Sequence, residues 1–232
     1  MEDMGVDPWI REMFVFRKTP ETMRALREAL SELTKEVSIW LFTSAGRCWT
    51  CKDTEELVEA IREAAPPGKI KVYKLIREKD RDVFRFMNVD RVPTIVMGNG
   101  VIRYIGMPAG EEVKGFVETI VRIGTEDPGL SKTTIDRVAE IEDRVVLDVI
   151  VTPPCPYCPY AAFLANMFAY ASKLYGKGTI VSRVIEAFEN PDIADYYGVT
   201  TVPVIAINGK VVFVGPPTEE QLLLALLREV GS

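Results

Sequence analysis

Four cysteines, in two pairs of identical spacing, are the residues best placed to do chemistry: Cys48-Trp49-Thr50-Cys51 and Cys155-Pro156-Tyr157-Cys158. At the start of a helix, residues three apart lie roughly 5 to 6 Å from each other, which is the separation a disulfide needs. Each pair can therefore open and close with little movement of the chain. The same spacing also serves zinc and iron-sulfur sites, and metal binding is the rival reading. Zinc ribbons, however, place their two pairs about 15 to 20 residues apart, whereas 103 residues separate Cys51 from Cys155. A third reading, cysteines that merely tie local turns, gains little, because closing a four-residue loop removes little chain entropy.

The absence of histidine removes Ser-His and Cys-His nucleophile pairs, imidazole metal ligands and imidazole general bases. Thiol chemistry survives that loss, since local electrostatics set the thiolate without a dedicated base. A thiol of pKa about 8.5 is only about 3% ionised at pH 7, whereas one of pKa about 7 is about half ionised. With a Brønsted slope of about 0.4 to 0.5, the lower basicity returns most of that, leaving a net gain of about threefold. The helix dipole supplies about 0.3 to 1 kcal/mol, under one pKa unit, so amide N–H groups at the helix start must also hold the thiolate.

The elements around the pairs fit this chemistry. Val37 to Thr43 and Val145 to Val151 read as apolar strands, and each runs into a cysteine pair that opens a helix. Thr19-Pro20-Glu21 reads as an N-cap, a first-turn proline and a first-turn acid, followed by Met23, Leu26, Leu30 and Leu33 at helical spacing, a helix to about Lys35. Residues 1 to 19 are left as a leader without an assigned structure. After the first pair come a helix to about Ala65, a strand over Lys69 to Ile76, a short helix over Asp80 to Met87 and a strand over Pro93 to Met97. The turn Gly98-Asn99-Gly100, a strand over Val101 to Ile105 and a helix over Glu111 to Ile123 follow.

The chain then repeats itself. Cys48 and Cys155 differ by 107 positions, Pro93 and Pro203 by 110, Asn99 and Asn208 by 109, Gly106 and Gly215 by 109. The break falls at Gly124 to Leu130, so we expect two units, residues 1–124 and 125–232, packed as one body because the connection is too short for a floppy tether.

With 28 basic residues scattered among 34 acidic ones and a net charge of −6, no basic face for nucleic acid or anionic lipid is evident. No apolar run approaches the roughly 20 residues needed to span a membrane, and no basic segment leads into an apolar one at the start. The expectation is a cytoplasmic protein with protein partners, no nucleic acid and no membrane. Asn and Gln together number six while Glu, Lys, Arg and Pro are abundant, a thermophile trend. In hyperthermophiles intracellular disulfides are an accepted exception to the reducing cytoplasm.

Strand, C-x-x-C, helix, strand, helix, a Val-Pro step opening a hairpin, then a closing helix: this order resembles the thioredoxin fold. Cys155-Pro156-Tyr157-Cys158 is similar to the glutaredoxin active-site tetrapeptide, and Tyr197-Gly198-Val199-Thr200-Thr201-Val202-Pro203 resembles the thioredoxin segment leading to its cis-proline. Two such units in tandem resemble the protein disulfide oxidoreductases of archaea and thermophilic bacteria, also described as glutaredoxin-like proteins; Tyr104-Ile105-Gly106-Met107-Pro108-Ala109-Gly110 fits that family too. The resemblance implies an α/β fold of two tandem thioredoxin-fold units, each a mixed central sheet flanked by helices. It implies an enzyme that forms, reduces or isomerises protein disulfides, like protein disulfide isomerase, with redox-active cysteine pairs and no other cofactor or metal. Partners would be protein thiols and disulfides and a thioredoxin-reductase-type flavoprotein. A dedicated electron-transfer module between such a reductase and a peroxidase is the alternative.

Carried over by position, Cys48 and Cys155 would attack and Cys51 and Cys158 resolve, with Pro93 and Pro203 cis. Substrate is expected to dock as an extended strand beside Val92-Pro93 or Val202-Pro203, since proline leaves its neighbour's backbone groups free for strand addition. Trp49 and Tyr157 are candidate substrate contacts, and the Trp49 ring is expected to restrict approach to Cys48. Thioredoxin's buried aspartate, six residues before its first cysteine, is replaced here by Phe42 and Val149. Asp148 lies one residue earlier, which in a strand is the opposite face unless a bulge intervenes. Asp148 and Lys74, the latter resembling the thioredoxin lysine near that acid, are the candidates for proton transfer.

Overall fold

The structure, a computed structural model, describes residues 6–231. Eight strands form one sheet in the order β2-β1-β3-β4-β6-β5-β7-β8. In the first half, β1 (Val37–Thr43) lies parallel to β2 (Ile70–Ile76) and antiparallel to β3 (Thr94–Met97), which pairs antiparallel with β4 (Ile102–Ile105). The second half repeats the pattern: β5 (Val145–Val151) is parallel to β6 (Ile180–Glu186) and antiparallel to β7 (Val204–Ile207), which pairs with β8 (Lys210–Val214). The register of β1 on β2 and of β5 on β6 runs unbroken over seven residues. The duplication legible in the landmarks is thus a duplication of sheet topology.

The halves join where β4 pairs parallel with β6, so each closes an edge strand that would otherwise offer unpaired N–H and C=O groups. One hydrophobic cluster runs through both halves, from Phe14 and Leu30 through Tyr104 and Phe116 to Phe168 and Leu226. Helix α5 (Glu112–Thr125) packs on α7 (Cys158–Tyr175), and at their contact Asn166 Nδ2 donates to the Tyr104 hydroxyl (2.9 Å) and to Thr119 Oγ1 (3.2 Å), while Asn166 Oδ1 accepts from the Ser182 hydroxyl (2.7 Å). These polar groups are buried and mutually satisfied, which fixes how α5 meets α7.

The cysteine-bearing helices begin where expected. Helix α3 spans Cys51–Ala64 and α7 starts at Cys158. Helix α2 (Pro20–Leu30) has its Thr19 cap and buries Met23, Leu26 and Leu30, ending short of Lys35. Residues 6–19 of the leader carry more structure than the sequence reading allowed, while residues 1–5 lie outside the described residues. Asp7 caps a short helix α1 (Pro8–Met13), accepting from Trp9 N at 3.0 Å, and Phe14 just after it is completely buried.

Candidate functional site

Both pairs are closed as disulfides, each with its Cα atoms 5.5 Å apart, at the N-terminus of its helix. In each pair the second cysteine is the more enclosed: Cys51 and Cys158 are 4% and 0% exposed, while Cys48 is half-buried and Cys155 is 7% exposed. Val92-Pro93 and Val202-Pro203 are both cis, and each proline immediately precedes the strand that pairs antiparallel with the strand leading to a cysteine pair.

The two sites differ in electrostatics. At the second, the Cys158 backbone N–H donates to Cys155 Sγ at 3.1 Å, and the first turn of α7 carries no acid. An amide aimed at sulfur stabilises a thiolate more than a thiol. At the first, Asp53 sits in the first turn of α3 and is buried against the guanidinium of Arg11, 2.6 Å away. That guanidinium also lies 5.9 Å from the centre of the Trp49 ring, whose edge-on partner is Phe14 with ring centroids 4.7 Å apart. The ring therefore packs against the α1 segment, and of the two first cysteines Cys48 is the more accessible, contrary to the expected shielding. Tyr157, by contrast, is 62% exposed.

The proton-transfer candidates fall elsewhere. No bulge interrupts the pairing of β5 with β6 or β7 at Asp148, so alternation sends Leu147, Val149 and Val151 into the cluster that holds Cys155 and Cys158, and Asp148 to the other face. There its carboxylate takes two bonds from Arg183, at 2.5 and 2.6 Å, and accepts from the Tyr197 hydroxyl. Lys74 is exposed and pairs with Glu55 on α3.

The sequence reading missed three carboxylates at the junction of the halves, Glu112 and Glu186 buried and Glu189 half-buried. Glu112, Glu186 and Glu189 come from the start of α5, the end of β6 and the turn after it. Burial raises the pKa of Glu112 to about 8 and of Glu186 to about 8, the latter helped by the neighbouring charge of Glu189. Burial also raises Glu189, to about 7, against hydrogen bonds from Thr50 and Met107 N. Glu186 accepts from the backbone N–H groups of Phe188 (3.0 Å) and Glu189 (2.7 Å). Neither oxygen of Glu112 has a hydrogen-bond partner among the described residues. The loop before α5 touches the second cysteine loop directly: the Glu111 N–H donates to Pro153 O at 2.9 Å, and Gly110, at φ +57°, passes so close that a Cβ would lie 2.5 Å from that oxygen. A signal was available in the sequence for two of them: Glu112 and Glu189 stand beside apolar segments with no basic residue three or four positions away, whereas Glu186 has Arg183 three positions before it.

A carboxylate whose folded pKa is raised binds a proton that the unfolded chain has released, so stability falls as pH rises from the unfolded value near 4.5 through the folded value. For Glu112 that window is pH 4.5 to 8, with a slope of at most about 1.4 kcal/mol per pH unit. Glu112→Gln should therefore become progressively more stable than the parent as pH rises through the window, read as guanidinium midpoints at several pH values. Parallel curves would show that Glu112 does not hold its proton.

Among the described residues no group of three or more Cys, Asp or Glu side chains is arranged to hold a metal ion, and no helix is long and apolar enough to cross a membrane. Residues 145–227 match the thioredoxin domain family. Over 87 residues the chain is 33% identical to a thioredoxin of Methanocaldococcus jannaschii, covering 38% of this chain and 98% of that one. A protein disulfide oxidoreductase from Aeropyrum pernix is similar along nearly the whole length: 42% identity, 95% of this chain and 97% of that one, TM-score 0.91. The NTD_N/C domain of alkylhydroperoxide reductase AhpF from Enterococcus faecalis shares the fold at 18% identity, 90% of this chain and 99% of that one, TM-score 0.77.

Proposed function

The chain belongs to the protein disulfide oxidoreductases of the thioredoxin superfamily, enzymes acting on protein thiols and disulfides through C-x-x-C pairs, and from that membership we propose how its own residues divide the work. Cys48 and Cys155 are the attacking sulfurs and Cys51 and Cys158 the resolving ones. The observation that carries this assignment is the burial of the second cysteine in each pair, which leaves the first as the sulfur a substrate can reach.

In the reducing direction the Cys155 thiolate attacks one sulfur of a substrate disulfide; a Cys155–substrate bond forms as the substrate S–S bond breaks. The second substrate sulfur leaves with the electron pair and takes up a proton. Cys158 then loses its proton and attacks Cys155 Sγ, closing the protein disulfide and expelling the first substrate sulfur. Two electrons have passed from the protein dithiol to substrate, and run backwards the same steps oxidise a substrate dithiol. The cytoplasm is the compartment, residues 1–124 and 125–232 are the two redox units, and a thioredoxin-reductase-type flavoprotein recharges them. Mixing the oxidised protein with such a reductase and NADPH tests the last point, since no nicotinamide oxidation would exclude it.

Substrate docks as an extended strand beside Val202-Pro203, and by repetition beside Val92-Pro93. The Pro203 and Pro93 carbonyls accept from the Gly215 and Gly106 N–H groups at 2.8 and 2.9 Å, and the pairing of β7 and β3 with β5 and β1 begins at Val204 and Thr94, so it is Val202 and Val92, before the prolines, that lie outside the ladders. The exposed ring of Tyr157, between Cys155 and Cys158, offers apolar area to a substrate side chain. Tyr157→Ala should raise KM for a disulfide-linked peptide about two- to tenfold, the equivalent of roughly 0.5–1.5 kcal/mol for one aromatic contact, with kcat little changed. An unchanged KM would remove Tyr157 from the docking surface.

A further inference from the structure

We propose that Glu189, supplied by the second half of the chain, is a positioning residue for the first half's disulfide: through Thr50 it fixes the turn between Cys48 and Cys51 and sets the balance there between disulfide and dithiol. This rests on reading Cys48–Cys51 as a redox-active pair.

Thr50 stands at the N-cap of α3, where a threonine hydroxyl ordinarily accepts from an amide two or three residues on, a contact worth about 1 kcal/mol. Thr19, Ser131 and Thr218 make that bond at their helices. Thr50 does not: its fully buried hydroxyl donates to Glu189 Oε2, from a residue 139 positions away. The other carboxylate oxygen accepts from the Met107 backbone N–H at 2.6 Å, in the loop after β4. The first half is cut back to admit the side chain. Gly106 sits at φ +100°, and a Cβ there would lie 2.9 Å from Glu189 Oε1 and 2.7 Å from Glu186 Cβ. Glu189 is thus seated by donors and space from the first half, on the one residue that links Trp49 to Cys51.

The charged and titratable neighbours define what the carboxylate does. Glu186 and Glu112 share its surroundings as acids, and the charges of Glu189 and Glu112 both push Glu186 up. Arg11 favours its charge from α1, although Asp53 holds that guanidinium. Asn190, next in sequence, is neutral and donates to Ile105 O and Glu186 O. A disulfide carries no charge, whereas opening it creates a thiolate at the positive end of α3. An ionised Glu189 opposes that thiolate, disfavouring the open form; a protonated one does not. With its pKa near 7, Glu189 makes the first pair a stronger reductant as pH rises, beyond the dependence of the thiols themselves. The second half thereby acts on the first site through one side chain.

The test is the thiol-disulfide equilibrium of each pair in the full chain against glutathione buffers, from pH 6 to 9, read by thiol trapping and peptide mass mapping so that Cys155–Cys158 serves as internal reference. Glu189→Gln should leave the first pair near the parent's value at pH 6 and shift it toward the dithiol by about tenfold at pH 8.5, equivalent to about 30 mV for a two-electron couple. The second pair should not move. Thr50→Ser should behave as the parent. Thr50→Val, which removes a donor that favours the charged carboxylate, should displace the divergence to higher pH. If the parent's first pair equilibrates but Glu189→Gln changes it by less than twofold at every pH, or shifts both pairs alike, the proposal is overturned. A first pair that does not equilibrate at all would overturn the redox reading on which it rests.

Discussion

Cys158→Ser is expected to turn the second site from a turnover site into a trap, with substrate retained covalently on Cys155. Attack by Cys155 does not need Cys158 and should proceed. Resolution does need it. A well-oriented intramolecular nucleophile acts at an effective concentration of about 10⁵ M or more, and the serine hydroxyl, not ionised at neutral pH, does not replace it. External thiol at millimolar concentration must then release the adduct, so its lifetime should lengthen by at least about a thousandfold. Cys155→Ser should give no such adduct, because Cys158 is 0% exposed. In an all-four-serine background with only Cys155 restored, a mass shift equal to one substrate chain, reversed by dithiothreitol, is the positive result. Recovery of free substrate alone from Cys158→Ser, or an adduct on Cys158 in Cys155→Ser, would show that the roles are misassigned.

What the sequence disclosed was local. The cysteine spacing, the strand before each pair, the Thr19-Pro20 helix start and the Val-Pro steps all depend on neighbours within a few residues, and each is where the pattern put it. The repeat was legible because both copies keep those local features at nearly constant offset. The leader had a readable signal too, since Asp7-Pro8 is a cap and a first-turn proline, but six residues give too little periodicity to stand out. The contacts between the halves were not legible. β4 and β6 are both largely apolar, and nothing in either names the other as partner. Glu189 and Thr50 meet only because that pairing brings the end of β6 beside the first active-site loop. Asp148 shows the converse. Strand alternation already placed it on the far face, and only the hypothetical bulge brought it to the cysteines. The observed register has none there, and Arg183 and Tyr197 take up its oxygens instead.

Removing the second pair, by Cys155→Ser/Cys158→Ser, is expected to abolish about three quarters of dithiothreitol-driven insulin reduction, and removing the first about one quarter. Access does not give this ranking, since Cys48 is the less enclosed of the two first cysteines. Thiolate stability does. Cys155 Sγ accepts an amide hydrogen bond at 3.1 Å and faces a helix start free of acids, whereas α3 carries Asp53 in its first turn and has Glu189 on its capping residue. The general gain from a stabilised thiolate at neutral pH is only about threefold once the lost basicity is counted, and that gain sets the scale of the expected division. The division should be pH-dependent: as pH rises above the thiol pKa values both sulfurs become fully ionised, and the intrinsically more basic Cys48 gains on Cys155. Measuring both double variants between pH 6.5 and 9 therefore separates this account from a steric one, in which the ratio would stay constant. Equal losses at pH 7, or a larger loss on removing the first pair, would mean that access to Cys48 outweighs thiolate stability at Cys155.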